Sequence, residues 1–152
     1  PGVMPQVIAY AVNGGSAAKL KEKLFAFLKD IPDIDSEVER FWAEHKDGIG
    51  EWYLRQKKDD DVIISASPEF LLEPVCREFG VNLIGTRMDK HSGKIDGENC
   101  HDKEKVRRFY ERYPDGHSDE FYSDSMSDLP MAEISDRAFM LKKHVISPWL
   151  NK

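Results

Sequence analysis

The chain has 152 residues, 40% of them hydrophobic and 33% charged, with 28 acidic against 22 basic side chains and a net charge of -6. That length suits one compact domain, or one domain with a small appendage, and its recurrent apolar blocks supply surface to bury, which excludes a disordered tail. The acidic balance excludes a nucleic-acid footprint of the duplex-binding kind, and stretches such as Val62 to Ile64 or Phe70 to Leu72 are far too short to span a bilayer.

The first third reads as helices. Pro1 to Asn13 is apolar without polar punctuation, Asn13-Gly14-Gly15 breaks it, and Ser16 can cap a segment with Leu20, Leu24, Phe27 and Leu28 on one stripe. Pro32 stops that helix. Asp35 or Ser36 opens the next, where Val38, Phe41, Trp42 and His45 recur at helical spacing until Asp47-Gly48, and a short turn with Ile49, Trp52 and Tyr53 follows. Aromatic residues at this spacing form a core stripe by default.

The texture changes at the charged turn Lys57-Lys58-Asp59-Asp60-Asp61, which leads into Val62-Ile63-Ile64, a buried strand of the parallel-sheet kind. A boundary placed there divides the chain into a helical segment, 1–57, and an α/β segment, 58–152. Ser65-Ala66-Ser67-Pro68-Glu69 reads as a strand-to-helix turn, with Ser67 as N-cap, Pro68 at the first helical position and Gly80 as the stop. Val81 to Thr86 is a second strand, and Met88 to Glu98 a small hairpin excursion. Asp102 can cap a helix in which Val106, Phe109, Tyr110 and Tyr113 share a face, ended by Pro114-Asp115-Gly116. A third strand at Glu120 to Tyr122, a short helix at Leu129 to Ser135 and a fourth strand at Ala138 to Leu141 complete an alternation that predicts parallel strands with right-handed crossovers.

Two cysteines, Cys76 and Cys100, make no disulfide framework, and the five histidines have no zinc-type spacing, so a cytoplasmic protein without structural zinc is expected. Ligands in open α/β sheets sit beyond the carboxyl ends of strands, a rule that selects three places. Ser65, Ala66 and Ser67 stand at a helix N-terminus, where free amides favour an anion, although an ordinary capped turn uses the same residues. Lys103 and Lys105 project from a first helical turn, where a cation is disfavoured unless an anion is near. Asp124 and Asp128 flank a loop after the third strand, as an oxygen-seeking cation such as Mg²⁺ requires, although each could instead cap a turn or a helix. From Asp115 to Asp136 there are seven acidic residues and no Lys or Arg.

Val62 to Phe70, then Asn99-Cys100 with Lys105-Val106-Arg107-Arg108, then Tyr122-Ser123-Asp124-Ser125-Met126-Ser127-Asp128-Leu129-Pro130 together resemble the haloacid dehalogenase superfamily, in its phosphoserine-phosphatase-like branch. The resemblance implies a Rossmann-like, mostly parallel sheet with a helical cap, and Mg²⁺-dependent hydrolysis of a small-molecule phosphomonoester. By it, Ser65 binds the phosphoryl oxygens with Ala66 and Ser67 beside it, Lys105 neutralises charge, and Asp124 and Asp128 hold or orient the metal. Asp102 stands where relatives often show glycine, and Lys103 leaves a second register open for the lysine.

The family's first motif, an Asp-x-Asp pair after the first, central strand, has no match. Asp59-Asp60-Asp61 precedes a strand instead of following one. The resemblance therefore implies that the central strand and its nucleophilic aspartate belong to an N-terminal segment outside this sequence, and that residues 1–57 are the remainder of the cap. Phe41, Trp42, Trp52, Tyr53 and Arg55 are candidates to line a pocket under that cap, although most suit its core as well, and Arg87 is either a partner for a substrate carboxylate or phosphate or equally a surface arginine. The alternative is a non-catalytic phosphate- or nucleotide-binding module. No membrane partner is expected, and the oligomeric state is not legible.

Overall fold

A computed structural model describes Glu22 and residues 25–45, 51–143 and 145–149, with the backbone alone at residues 51 and 52. The expected apolar start, most of the helix opened by Ser16, the Asp47-Gly48 break and the Trp52 side chain lie outside the described residues. The chain divides into two compact units, residues 1–99 and residues 100–152. Residues on both sides of the expected 57/58 boundary thus share the first unit. Among the described residues no helix is long and apolar enough to cross a membrane.

In the first unit a 3-10 turn, Ala26–Asp30, precedes α1 (Ile34–His45) and α2 (Glu51–Gln56). The cap of α1 is Asp33 rather than Asp35 or Ser36: its carboxylate accepts the Ser36 N–H at 3.2 Å and the Ser36 hydroxyl at 2.7 Å. Phe25, Leu28, Ile34, Val38 and Leu71 form the core, with Phe41, Trp42 and Met88 packed against it. β1 (Val62–Pro68), α3 (Glu69–Phe79) and β2 (Asn82–Thr86) then make a parallel βαβ unit. Gly80 ends α3 at φ +67°, with its N–H on the Arg77 carbonyl and the Val81 N–H on that of Cys76, a left-handed stop of the Schellman kind.

The hairpin excursion forms as expected, closed by a Met88–Ile95 bridge. It is fastened to the helical part of the same unit. Lys90 pairs with Asp35 at 2.8 Å, the Ile95 N–H donates to Glu22 Oε2 at 2.7 Å, and a Cβ on Gly93 would fall 2.4 Å from the Phe25 carbonyl oxygen.

The second unit comprises α4 (Lys103–Arg112), β3 (Ser118–Ser123), a 3-10 turn at Met126–Asp128, α5 (Leu129–Ile134), β4 (Ser135–Lys142) and β5 (Val145–Pro148). β3 and β4 run parallel with α5 between them, and β5 returns antiparallel to β4. Ala132, Ala138, Met140 and Trp149 are its core, joined by Phe121 and Leu129. The sequence reading has no β5. All four of its residues are exposed and it ends in Pro148, so it lacks the alternation that marks a half-buried strand.

The α/β class with parallel strands is as expected. Among the described residues β1 has one strand neighbour, β2, and β3 has one parallel neighbour, β4.

Candidate active site

The carboxyl end of β1 is irregular, and the irregularity shapes the serine turn. Ile64 pairs with Ile84 and Pro68 with Thr86, so four steps along β1 cover two along β2. Such a bulge strands backbone groups, and side chains take them up. The Thr86 hydroxyl donates to the Ala66 carbonyl at 2.7 Å, and Glu69 Oε1 accepts the Gly85 N–H at 3.1 Å. Within the turn the Ser67 N–H donates to Ser65 Oγ at 3.0 Å. Ser67 is only 1% exposed, yet its own hydroxyl has no hydrogen-bond partner among the described residues.

The expected capping differs here. Pro68, not Ser67, occupies the N-cap position of α3, with φ -58° and ψ 137° and no side-chain cap bond. A residue that precedes proline is held out of the helical region, which keeps Ser67 extended and starts the helix at Glu69.

In the second unit, α4 carries the lysines and the loop after β3 carries the carboxylates. Asp102 does not cap α4 through its side chain; it adopts φ +55° and ψ -124°, a backbone state in which glycine dominates. Lys103 is exposed, whereas Lys105 is buried, and its Nζ lies 2.7 Å from Asp128 Oδ1 with both side chains 9% exposed. The contact is a close ion pair rather than a well-directed hydrogen bond. Asp128 also accepts the Ser123 hydroxyl on Oδ2 at 2.6 Å. It sits at the N-cap position of α5 without a side-chain cap bond, so its carboxylate serves the lysine and the serine instead of the helix.

The serines of this run are its scaffold, a role that sequence reasoning missed. The Ser125 N–H donates to Ser123 Oγ at 3.1 Å, the Ser127 N–H to Ser125 Oγ at 3.2 Å, and the Ser125 and Ser127 hydroxyls meet at 2.7 Å. Side-chain hydroxyls two residues back thus close the loop, in the manner of Ser/Thr turns. Asp124 is exposed and has no ion pair or hydrogen bond among the described residues. The structure therefore brings Lys105, Asp128 and Ser123 into contact and leaves the Asp124 carboxylate unengaged in the same loop. Ser65, Ala66 and Ser67 form their turn in the other unit.

An all-oxygen donor set with a free carboxylate fits a hard divalent cation. Asp124 is the residue able to ligate one directly, because both Asp128 oxygens already face donors from the protein. Three other aspartates are committed to structure. Asp33-Ile34-Asp35 has Asp-x-Asp spacing, but Asp33 caps α1 and Asp35 pairs with Lys90. Asp61 accepts the Lys58 N–H at 3.1 Å. Burial, with Glu73 nearby, pushes the Cys76 thiol up to about 11, so it offers no thiolate near neutral pH. Of the expected pocket residues, Phe41 and Trp42 pack on the core, and the Trp42 indole donates to the Leu71 carbonyl.

At the opposite, amino ends of β3 and β4 stands a cluster absent from the sequence reading. His117 Nε2 lies 2.8 Å from Asp136 Oδ2 and 3.5 Å from Asp119 Oδ1, and all three side chains are exposed. The hydrogen bond to Asp136, then the charges of Asp136 and Asp119, hold the histidine above its ordinary value.

Residues 4–133 match the family model of haloacid dehalogenase-like hydrolases. The chain is 32% identical over 149 residues to Protein CicA of Caulobacter vibrioides, an alignment that covers 87% of this chain and 67% of that protein. It is 30% identical over 89 residues to the histidinol-phosphatase of Neisseria meningitidis serogroup C, across 50% of this chain and 40% of that one. The solved structure of a protein of unknown function from Bordetella pertussis Tohama I superposes with a TM-score of 0.64 at 22% identity, covering 88% of this chain and 70% of its own, a likeness of fold.

Proposed function

The chain belongs to the haloacid dehalogenase-like hydrolase family, and from that membership we propose that it forms most of the active site of a Mg²⁺-dependent phosphatase of the phosphoserine-phosphatase-like branch. The substrate is a small phosphorylated metabolite, a reading supported by the similarity to a histidinol-phosphatase. Residues 58–152 serve as the catalytic core and residues 1–57 as part of a cap, in a cytoplasmic protein.

The observation that carries the proposal is the buried Lys105–Asp128 pair, closed by Ser123, beside an uncommitted Asp124. Asp128 fixes the ammonium of Lys105 so that its remaining protons can face a phosphoryl oxygen. In the other unit, the Ser65 hydroxyl, the Ser67 hydroxyl and the amides at the start of α3 are neutral donors suited to an oxyanion. Asp124 would hold Mg²⁺ and Asp128 would orient it; when bound, the ion supplies positive charge to phosphoryl oxygens.

The nucleophile is an aspartate in an N-terminal segment outside this sequence. Its carboxylate displaces the substrate alcohol from phosphorus to give an acyl phosphate, and water then attacks phosphorus to release inorganic phosphate and restore the carboxylate. Support comes from the family resemblance, whose Asp-x-Asp motif after a first strand has no match in this sequence. Phosphate release from p-nitrophenyl phosphate by the full-length protein tests the reading. It should require Mg²⁺ and fall by at least about a hundredfold in Asp124→Asn. Full activity in that variant overturns the metal assignment, and phosphate binding without turnover favours a non-catalytic module.

A further inference from the structure

The Glu69 side chain has no part in the chemistry described above, yet it touches the feature that shapes the serine turn. It is the first residue of α3, and its side chain reaches back to the neighbouring strand, where Oε1 accepts the Gly85 N–H at 3.1 Å. Gly85 lies opposite the bulge, between the Ile64–Ile84 and Pro68–Thr86 pairs, where the backbone of β1 has turned away. A Cβ on Gly85 would stand 2.9 Å from Glu69 Cγ and 2.9 Å from the Ser67 carbonyl oxygen, so the glycine, the glutamate and the serine turn are packed against one another. The carboxylate replaces a ladder acceptor that the bulge removed.

We infer that Glu69 is a positioning residue: by holding the Gly85 N–H, its carboxylate keeps the β1 bulge in the shape that offers the Ser65–Ser67 turn to an oxyanion. What the turn binds rests on the phosphatase reading; the hold on the bulge does not. A carboxylate beside an anion turn would repel phosphate, and the Gly85 bond draws it toward β2. A second account of the same residue is generic, since an acid in the first turn of any helix favours its dipole. The two accounts part at two conservative changes. Glu69→Gln keeps the reach and the acceptor but loses the charge, whereas Glu69→Asp keeps the charge and loses one methylene of reach.

The experiment uses the full-length protein and two readouts, hydrogen exchange at the Gly85 amide and inhibition by inorganic phosphate. In Glu69→Gln the Gly85 amide should stay protected, with KM and the inhibition constant for phosphate within about twofold of wild type. In Glu69→Asp the protection should fall, both constants should rise roughly tenfold, and the melting temperature should drop by only about a few degrees. The reverse order, equal damage in both variants, or two variants identical to wild type would overturn the inference. A wild-type protein that neither hydrolyses a phosphomonoester nor binds phosphate defeats the phosphatase reading instead, and the Gly85 amide then decides the role of Glu69 alone.

Discussion

Asp124 and Asp128 lie four residues apart in one loop, yet their surroundings separate their roles. Asp128 is buried against Lys105 and Ser123, and its removal leaves a buried ammonium without its counter-charge, so Asp128→Ala should cost about 3 kcal/mol in urea denaturation. Asp124 is exposed and unengaged among the described residues, so Asp124→Asn should leave the unfolding free energy in urea within about 0.5 kcal/mol of wild type while turnover falls by at least about a hundredfold. Equal stability losses in the two variants would show that the loop does not distinguish them. Asp102 is a third instructive residue. Its φ of +55° and ψ of -124° match the first central position of a II′ turn, where a Cβ is strained and glycine is preferred. Asp102→Gly should therefore stabilise the chain by about 1 kcal/mol, read as a higher melting temperature. The family resemblance marks this position as one where glycine is common, and the backbone angle gives the reason.

Among elements, the β1–β2 pair and the β3–β4 pair are held at their ends by side chains. Gly85→Ala would drive a methyl group toward the Ser67 carbonyl and should cost roughly 1–3 kcal/mol, with the serine turn displaced and phosphate binding weakened. At the amino ends of β3 and β4, His117 joins the two strands through Asp136 and Asp119. Because its folded pKa lies above its ordinary value of 6.5, the clasp contributes fully below that value and fades as pH rises through the elevated one. Denaturation should show a midpoint that declines as pH rises above the ordinary histidine value of 6.5, and a flatter profile in His117→Gln. An unchanged slope in that variant would place the dependence elsewhere. β1 to β4 were legible because each is marked by apolar residues and a turn on either side. Glu69 and Thr86 were not, because their partners are set by a slip of two residues between β1 and β2 that no periodicity records. The His117 cluster was hidden for a similar reason: only the Ser118–Ser135 register brings residues 17 to 19 positions apart to one strand end.

Across the whole molecule, three motifs in order were enough to read the family, and of the two lysines it is Lys105 that is buried against Asp128 while Lys103 is exposed. The sequence reading placed its division at 57/58, where composition changes. The first compact unit runs to residue 99, since α1 packs with α3 and the hairpin is fastened to Asp35 and Glu22. Backbone amides of β1 and β3 on their sides away from β2 and β4 should exchange with solvent faster than the ladder amides. Equal protection on both sides of β1 would reveal a neighbour already in place. Four residues of β5 raise a separate matter. Val145 and Ile146 present oily faces to water on a short outer ribbon, so concentrated protein has a spot at which molecules can adhere to one another, and Pro148 blunts that tendency at one end only.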